Sequence, residues 1–481
     1  MTASVSPLLN TDHPEVAAML RAFDTQRTAF RLRPSTSASE RLALLDNLRG
    51  VLVKYQDDLC KAIAADFGHR SHHETKFAEI LTSLENIKYY TKNLRKWMEP
   101  EKRHVQATHM PAKGWVQYQP LGVVGIITPW NYPVLLAISP LICALAAGNR
   151  AMIKMSSFTP RTGETLKRAL AEAFSEDQVS VVTGGGIVSD AFSRLPFNQM
   201  TFTGSTNVGR TVMAAAAENL TPVLLELGGK SPCIIHESYP MADAAQRIAF
   251  GKCWNAGQTC VAPDYVFIPR GKTAEFVAAM RKAVTTMYSS LVNNPDYTSI
   301  VNDKQYKRIN SYIDDAKAQG AEIHEINPAG ESFAGTRKMP VLLVGKVRPD
   351  MLIAQNEIFG PVLMMMEYDR LEDAIHYIGE RPHPLAYYYF DYDEKRADFV
   401  MRNSQSGGFS VNDVITHVAV EDLPFGGVGH SGMGKYHGKE GFASFSNARS
   451  VLVKPKFWTV RFLAAPFTKP SHKIIEKVLL K

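Results

Sequence analysis

Three short segments put a thiol, a carboxylate and an amide on one chain. Leu225-Glu226-Leu227-Gly228-Gly229-Lys230 carries the carboxylate, and Asn255-Ala256-Gly257-Gln258-Thr259-Cys260 carries the thiol. Pro129-Trp130-Asn131-Tyr132-Pro133 carries the amide. A thiolate attacks a carbonyl far better than a hydroxyl does at neutral pH. A fixed amide N–H holds the oxyanion that results, and a carboxylate in an apolar cleft, its pKa raised, takes a proton from water. Together they are the parts needed to form and then hydrolyse a covalent acyl intermediate.

The other cysteines read differently. Cys60 and Cys143 sit in apolar helical patterns, Cys233 in a strand, and Cys253 on the helix before Cys260, so all four suit small buried hydrophobes. Cys260 falls in a loop between a helix near 241–256 and a strand at 265–268, which gives it access. Five cysteines without metal spacing fit free thiols in a reducing compartment and no metal centre.

Two glycine-rich runs compete as phosphate sites. Gly427-Val428-Gly429-His430-Ser431-Gly432 matches the dinucleotide fingerprint literally, yet Asp422-Leu423-Pro424 precedes it and no acidic residue follows at the required interval. It is rejected. Phe202-Thr203-Gly204-Ser205-Thr206-Asn207-Val208-Gly209 follows a strand and opens a helix, so free N–H groups there would attract a pyrophosphate. Lys154 ends another strand, at the edge that faces the crevice of an open α/β sheet.

The elements that position these groups alternate. Residues 16 to about 98 carry helical periodicity, and 99–120 are polar and broken, with an exposed strand at Trp115–Tyr118. Runs at 123–127, 151–153, 179–182, 200–202 and 223–225 alternate with helical stretches near 134–147, 161–174, 187–194 and 207–218. A second series has strands at 233–235, 265–268, 340–344, 362–366, 386–390 and 409–411. Its helices lie near 241–256, 272–288, 304–319, 370–379 and 393–403. This predicts an α/β fold with two doubly wound parallel-sheet domains. The cofactor-binding domain is expected over 1–98 and 121–228 and the catalytic domain over 229–427. Bridging or oligomerisation segments fall at 99–120 and 428–481, the latter with a C-terminal tail. The boundary lies near Gly228-Gly229, where a cleft would form.

At 481 residues, 45% hydrophobic and 21% charged, the chain has the composition of a soluble globular protein of two or three domains. Met1–Glu15 lacks the pattern of a secretory signal, and no apolar run is long enough to span a membrane. A cytoplasmic location is expected. The net charge of +7 is mostly local: Lys454–Lys481 holds seven Lys or Arg against Glu476 alone, with Phe457, Trp458, Phe462 and Phe467. Such a tail suits an anionic membrane surface, but Pro455, Pro466 and Pro470 break any long amphipathic helix and favour packing on the protein or a second subunit. No nucleic-acid module is visible.

In the order and context of these motifs the chain resembles the NAD(P)-dependent aldehyde dehydrogenases, from about residue 15 to about residue 455. The resemblance implies Cys260 as nucleophile, Asn131 and the Cys260 N–H as oxyanion donors, and Glu226 as general base. It implies NAD or NADP contacts at Thr128, Pro129, Trp130, Lys154, Ser157, Gly204, Ser205, Gly209 and Leu227. Asn356-Glu357-Ile358-Phe359 would form a second clamp, with Glu357 on the nicotinamide ribose and Phe359 against the ring. Ser157 replaces the Glu with which most relatives grip the ribose 2′-hydroxyl. Losing that charge favours use of both cofactors, with Lys154 pairing a 2′-phosphate. Tyr132 and Phe425 would face the substrate.

The late segments Val411-Asn412-Asp413-Val414, Leu423–Gly429, Ser431–Gly434 and Tyr436-His437-Gly438 look like the class 3 members, which are typically homodimers with a small β oligomerisation extension. Lys154-Met155-Ser156 and Thr416-His417-Val418 look more like the bacterial coniferyl aldehyde dehydrogenases. That implies an aromatic propenal substrate; medium- or long-chain alkanals and benzaldehydes are the alternative. An acylating, coenzyme A-dependent enzyme is disfavoured by Glu226, and a non-catalytic descendant by the joint presence of Cys260, Glu226 and Asn131.

Overall fold

A computed structural model of the chain describes residues 12–106, 109–456, 461 and 463–480. Two large sheets organise it. The first runs Gly432–Met433, Val223–Glu226, Gln199–Thr203, Val123–Ile127, Arg150–Lys154, Val179–Val182. Its five longer strands are parallel. Helices cover both faces. Leu45, Leu48, Ile87 and Tyr90 pack with the helix Leu135–Ala147, apolar but for Ser139, on one face, and Val16, Met19 and Phe23 lie against Val123 and Met152 on the other. Sheets buried on both faces read as continuous apolar runs, which is why these strands were legible.

The second sheet runs Glu322–Ile326, Val341–Gly345, Val362–Tyr368, Pro263–Pro269, Ser231–Ile235, Ala386–Phe390, Gly408–Val411. It is parallel except at its first strand, which pairs antiparallel with Val341–Gly345. The chain passes from one sheet to the other between Glu226 and Ser231, across Gly228-Gly229. A third, antiparallel sheet joins Glu101–Arg103, Lys113–Pro120 and Ser446–Val453.

Four details differ from the sequence reading. Gly432–Met433 forms a strand that pairs antiparallel with Leu225 and Glu226 on the first sheet; a two-residue strand carries no periodicity to read. The edge strand Glu322–Ile326 was missed because it is polar and half exposed. The helical stretch after Lys76 begins with a π-helical turn, Lys76–Leu81. A short helix, Pro470–Leu479, goes unmarked in the sequence; Pro470 bounds it at a start position where a missing N–H costs nothing. Phe457, Trp458 and Phe462 of the basic tail lie outside the described residues; Phe467 is exposed. No helix among the described residues is long and apolar enough to cross a membrane.

Candidate active site

A cavity of about 1300 Å³ opens where the two sheets meet, lined by Asn131, Glu226, Cys260, Glu357 and Phe359 together. The segments carrying Asn131, Glu226 and Cys260 therefore converge on one cavity.

A buried ion network holds the Asn131 and Cys260 loops to each other. Arg70 is fully buried, with Glu74 at 3.2 Å and Glu79 at 2.9 Å. Its guanidinium also donates to the Asn131 carbonyl at 3.0 Å and lies 4.9 Å from the Tyr132 ring centre. The second oxygen of Glu79 accepts from the N–H groups of Val134 and Leu135, the free donors at the start of helix Leu135–Ala147. The Asn131 side-chain amide, by contrast, makes no hydrogen bond among the described residues, although the residue is only 3% exposed. Its backbone is fixed and its amide is left for a ligand.

The loop before Cys260 is unusual. Asn255, Ala256 and Gly257 all adopt left-handed backbone, with φ of 50°, 50° and 72°. Gly257 presses against the Gly360 carbonyl, where a side chain would collide. Asn tolerates this region and Ala does not, so the surroundings must impose it. They do: the Asn255 N–H donates to Glu74 at 3.1 Å, and its amide donates to the Asn131 carbonyl at 3.0 Å and the Gln258 carbonyl at 3.1 Å. Thr259 bonds the Tyr132 hydroxyl at 2.6 Å. Cys260 follows on the cavity wall, and the other four cysteines are buried and free, as expected. Burial pushes the Cys260 thiol up to about 12; the charges of Glu357 and Glu226 add to this, and the backbone at Cys260 and Val261 opposes it.

Glu226 ends its strand at the cavity, 2% exposed, and neither carboxylate oxygen has a hydrogen-bond partner among the described residues. Burial raises its pKa well above the ordinary carboxylate range, and Lys435 opposes the rise. That lysine donates to the carbonyls of Gly407 and Gly426. A buried, unpartnered carboxylate is costly to a fold, and clefts that shift pKa values in this way mark functional sites.

The other end of the cavity fits an anionic dinucleotide. Thr203–Asn207 line it at the start of helix Thr206–Ala217, where Ser205 makes no side-chain cap, and Arg210 shares the wall. Pro129, Trp130 and Leu227 line it too. The Glu357 carboxylate lies against Gly228, close enough that a Cβ there would strike it. Burial pushes Glu357 up to about 8, Asp264 adds to this, and the Gly229 N–H opposes it. The loop is tied down from behind: Lys230 pairs with Asp264 and donates to the carbonyls of Ile353 and Asn356, while Arg308 donates to those of Glu357 and Ile358. Phe359 meets Trp130 edge to face at 5.2 Å.

Four expected cofactor residues do not line this cavity. Gly209 is buried beneath its wall, next to Leu227. Thr128 is buried and donates to the Lys154 carbonyl. Lys154 does not point its ammonium outward for a phosphate; it donates to the carbonyls of Met155 and Gly184 at 2.7 and 2.8 Å, and burial lowers it to about 8. Ser157 is exposed in the turn beyond. Tyr132 and Phe425 both reach the cavity, and Phe425 stacks on His437. Arg70, Glu74, Glu79 and Lys435 went unread in the sequence, since an isolated charge carries no mark of being buried.

The aldehyde dehydrogenase family model matches residues 5–451. The chain belongs to the aldehyde dehydrogenase family. It is 50% identical over 473 residues to a probable coniferyl aldehyde dehydrogenase of Pseudomonas aeruginosa, covering 98% of both chains. The solved substrate-bound AldH of Staphylococcus aureus superposes with a TM-score of 0.90 at 36% identity, over 96% of this chain and 99% of that one. A Mycobacterium tuberculosis aldehyde dehydrogenase complexed with NAD+ gives a TM-score of 0.83 at 31% identity, over 92% and 91%. The chain is thus an NAD(P)-dependent oxidoreductase acting on aldehydes, as its motifs implied.

Proposed function

We propose that this enzyme oxidises aromatic propenals such as coniferaldehyde to the corresponding acids, with Cys260, Asn131 and Glu226 in the roles their chemistry suits. The observation that carries the roles is the convergence of a thiol, an unengaged amide and an unpartnered buried carboxylate on one cavity. Cys260 gives up its proton to solvent in the cavity, and the resulting thiolate adds to the aldehyde carbon. The Asn131 amide and the Cys260 N–H hold the oxyanion, each contributing about 3–4 kcal/mol by analogy with comparable sites. A bound nicotinamide supplies the hydride acceptor that takes the substrate carbon from the aldehyde to the acyl level. Glu226 then removes a proton from water, which cleaves the Cys260 thioester and releases the acid.

Gly204, Ser205 and the first turn of their helix would hold the pyrophosphate, and Glu357 and Phe359 the nicotinamide end. Thr128, Lys154, Ser157 and Gly209 would act from beyond the cavity wall. With Ser157 carrying no charge, both NAD and NADP are accepted. The propenal reading is supported by the aromatic wall of Tyr132, Phe250, Trp254 and Phe425 and by the likeness to the Pseudomonas protein. The family relationship and five free thiols favour a cytoplasmic enzyme. The edge strand Ser446–Val453, with Leu452 and Val453 exposed, offers a second copy a place to pair, which supports a homodimer. The sheet boundaries favour cofactor and catalytic domains that meet at Gly228-Gly229.

The test is a steady-state assay with coniferaldehyde, benzaldehyde, hexanal and decanal, each with NAD and with NADP. Coniferaldehyde should exceed the alkanals in kcat/KM by about tenfold or more. Alkanals in the lead would move the assignment to a medium- or long-chain aldehyde dehydrogenase.

A further inference from the structure

One wall of the cavity carries a polar pair that the reaction does not use. Leu135, Leu136 and Ser139 follow one face of helix Leu135–Ala147, with Tyr132 in the turn before it, and Asn86 faces them from helix Thr82–Trp97. Asn86 and Ser139 are 2% and 3% exposed, and both line the cavity. The Asn86 amide donates to the Ser139 hydroxyl oxygen at 3.0 Å. That bond leaves the Asn86 carbonyl oxygen, its second amide N–H and the Ser139 hydroxyl proton without partners among the described residues. Turning the amide over changes nothing essential, because one donor and one acceptor still face the cavity.

Facing the open cavity the pair is solvated, and a ligand that covers it must satisfy it or cost free energy. A ligand group able to donate and accept at once would satisfy this pair, and a phenol does both. The spacing also agrees. The helix begins at Leu135, after a turn in which the Tyr132 carbonyl accepts from the Leu136 N–H. A rise of ~1.5 Å per residue puts Ser139 about 6 Å along that helix from Leu135, and the turn from Asn131 carries the span to roughly 10 Å. That is close to the length of an extended hydroxycinnamaldehyde whose carbonyl oxygen is held at Asn131.

We infer that Asn86 and Ser139 form a subsite for the 4-hydroxyl of the aromatic ring, with the phenol donating to Asn86 and accepting from Ser139. This deepens the propenal reading and rests on it. The subsite also discriminates: a long alkanal threaded along the same wall would bury the pair with no partner.

The experiment compares coniferaldehyde with 3-methoxycinnamaldehyde, which lacks only the 4-hydroxyl, on the wild-type enzyme and on Ser139→Ala and Asn86→Leu. The wild type should prefer coniferaldehyde in kcat/KM by about tenfold or more, mainly through KM. Each variant should reduce that preference to about twofold or less. Inhibition by ferulate against 3-methoxycinnamate gives the same comparison without turnover, so a variant with weakened catalysis remains readable. A wild type indifferent to the hydroxyl, or variants that lose both substrates equally with the ratio intact, would overturn the subsite alone. A wild type that oxidises decanal but neither propenal would overturn the propenal reading and the subsite with it.

Discussion

Glu226 and Lys435 set the protonation chemistry of the cavity between them. The carboxyl is raised by burial and held back by the Lys435 charge. A general base must be deprotonated, so raising its pKa further moves the acid limb of the kcat–pH profile to higher pH. Lys435→Met should produce that upward shift, while Lys435→Arg, which keeps the charge, should leave the limb near its wild-type position. A Met variant with an unmoved limb would show that Glu226 is not the titrating base. Glu226, Cys260 and Asn131 were legible because each sits in a motif of adjoining residues. Lys435 was not, since its role exists only where Gly407 and Gly426 come back past the strand that ends in Glu226.

The loops that carry chemistry are held at the level of elements. The π-helical turn Lys76–Leu81 adds a residue to the helical register just where Glu79 faces Arg70. Arg70→Met strands Glu74 and Glu79 as buried, unpaired carboxylates. It should destabilise the fold by about 3–5 kcal/mol in urea or thermal unfolding, and pairing it with Glu79→Gln should recover part of the loss. A loss under about 1 kcal/mol would contradict the network's structural weight. At the seam, Gly228→Ala drives a Cβ into the Glu357 carboxylate. It should raise the KM for NAD about tenfold while changing the aldehyde KM little, since displacement of a positioning group by ~1 Å is expensive. Equal effects on both would mean that Glu357 does not serve the cofactor. Helices and parallel strands were readable because both bury continuous or periodic apolar faces. The π turn, the two-residue strand at Gly432 and the left-handed run at Asn255 follow from tertiary contacts that no local pattern encodes.

At the scale of the whole molecule, two covered sheets meet at one cavity, and the third sheet leaves the Ser446–Val453 edge open. Sedimentation equilibrium should give about twice the 53.3 kDa chain mass; a monomer at micromolar concentration would contradict the dimer. The alternation of strands and helices exposed the two-sheet plan and the crossing at Gly228-Gly229, but not the distance from the cofactor wall at which Lys154 and Ser157 sit. If Cys260 carries the acyl group and Glu226 releases it, Glu226→Gln should trap the acyl-enzyme. Mass spectrometry of Glu226→Gln, mixed with coniferaldehyde and NAD and quenched in acid, tests it most directly. A feruloyl adduct is expected on the peptide containing Cys260, matched by one equivalent of reduced cofactor formed in a burst. Steady turnover with no adduct, or an adduct on another cysteine, would contradict it.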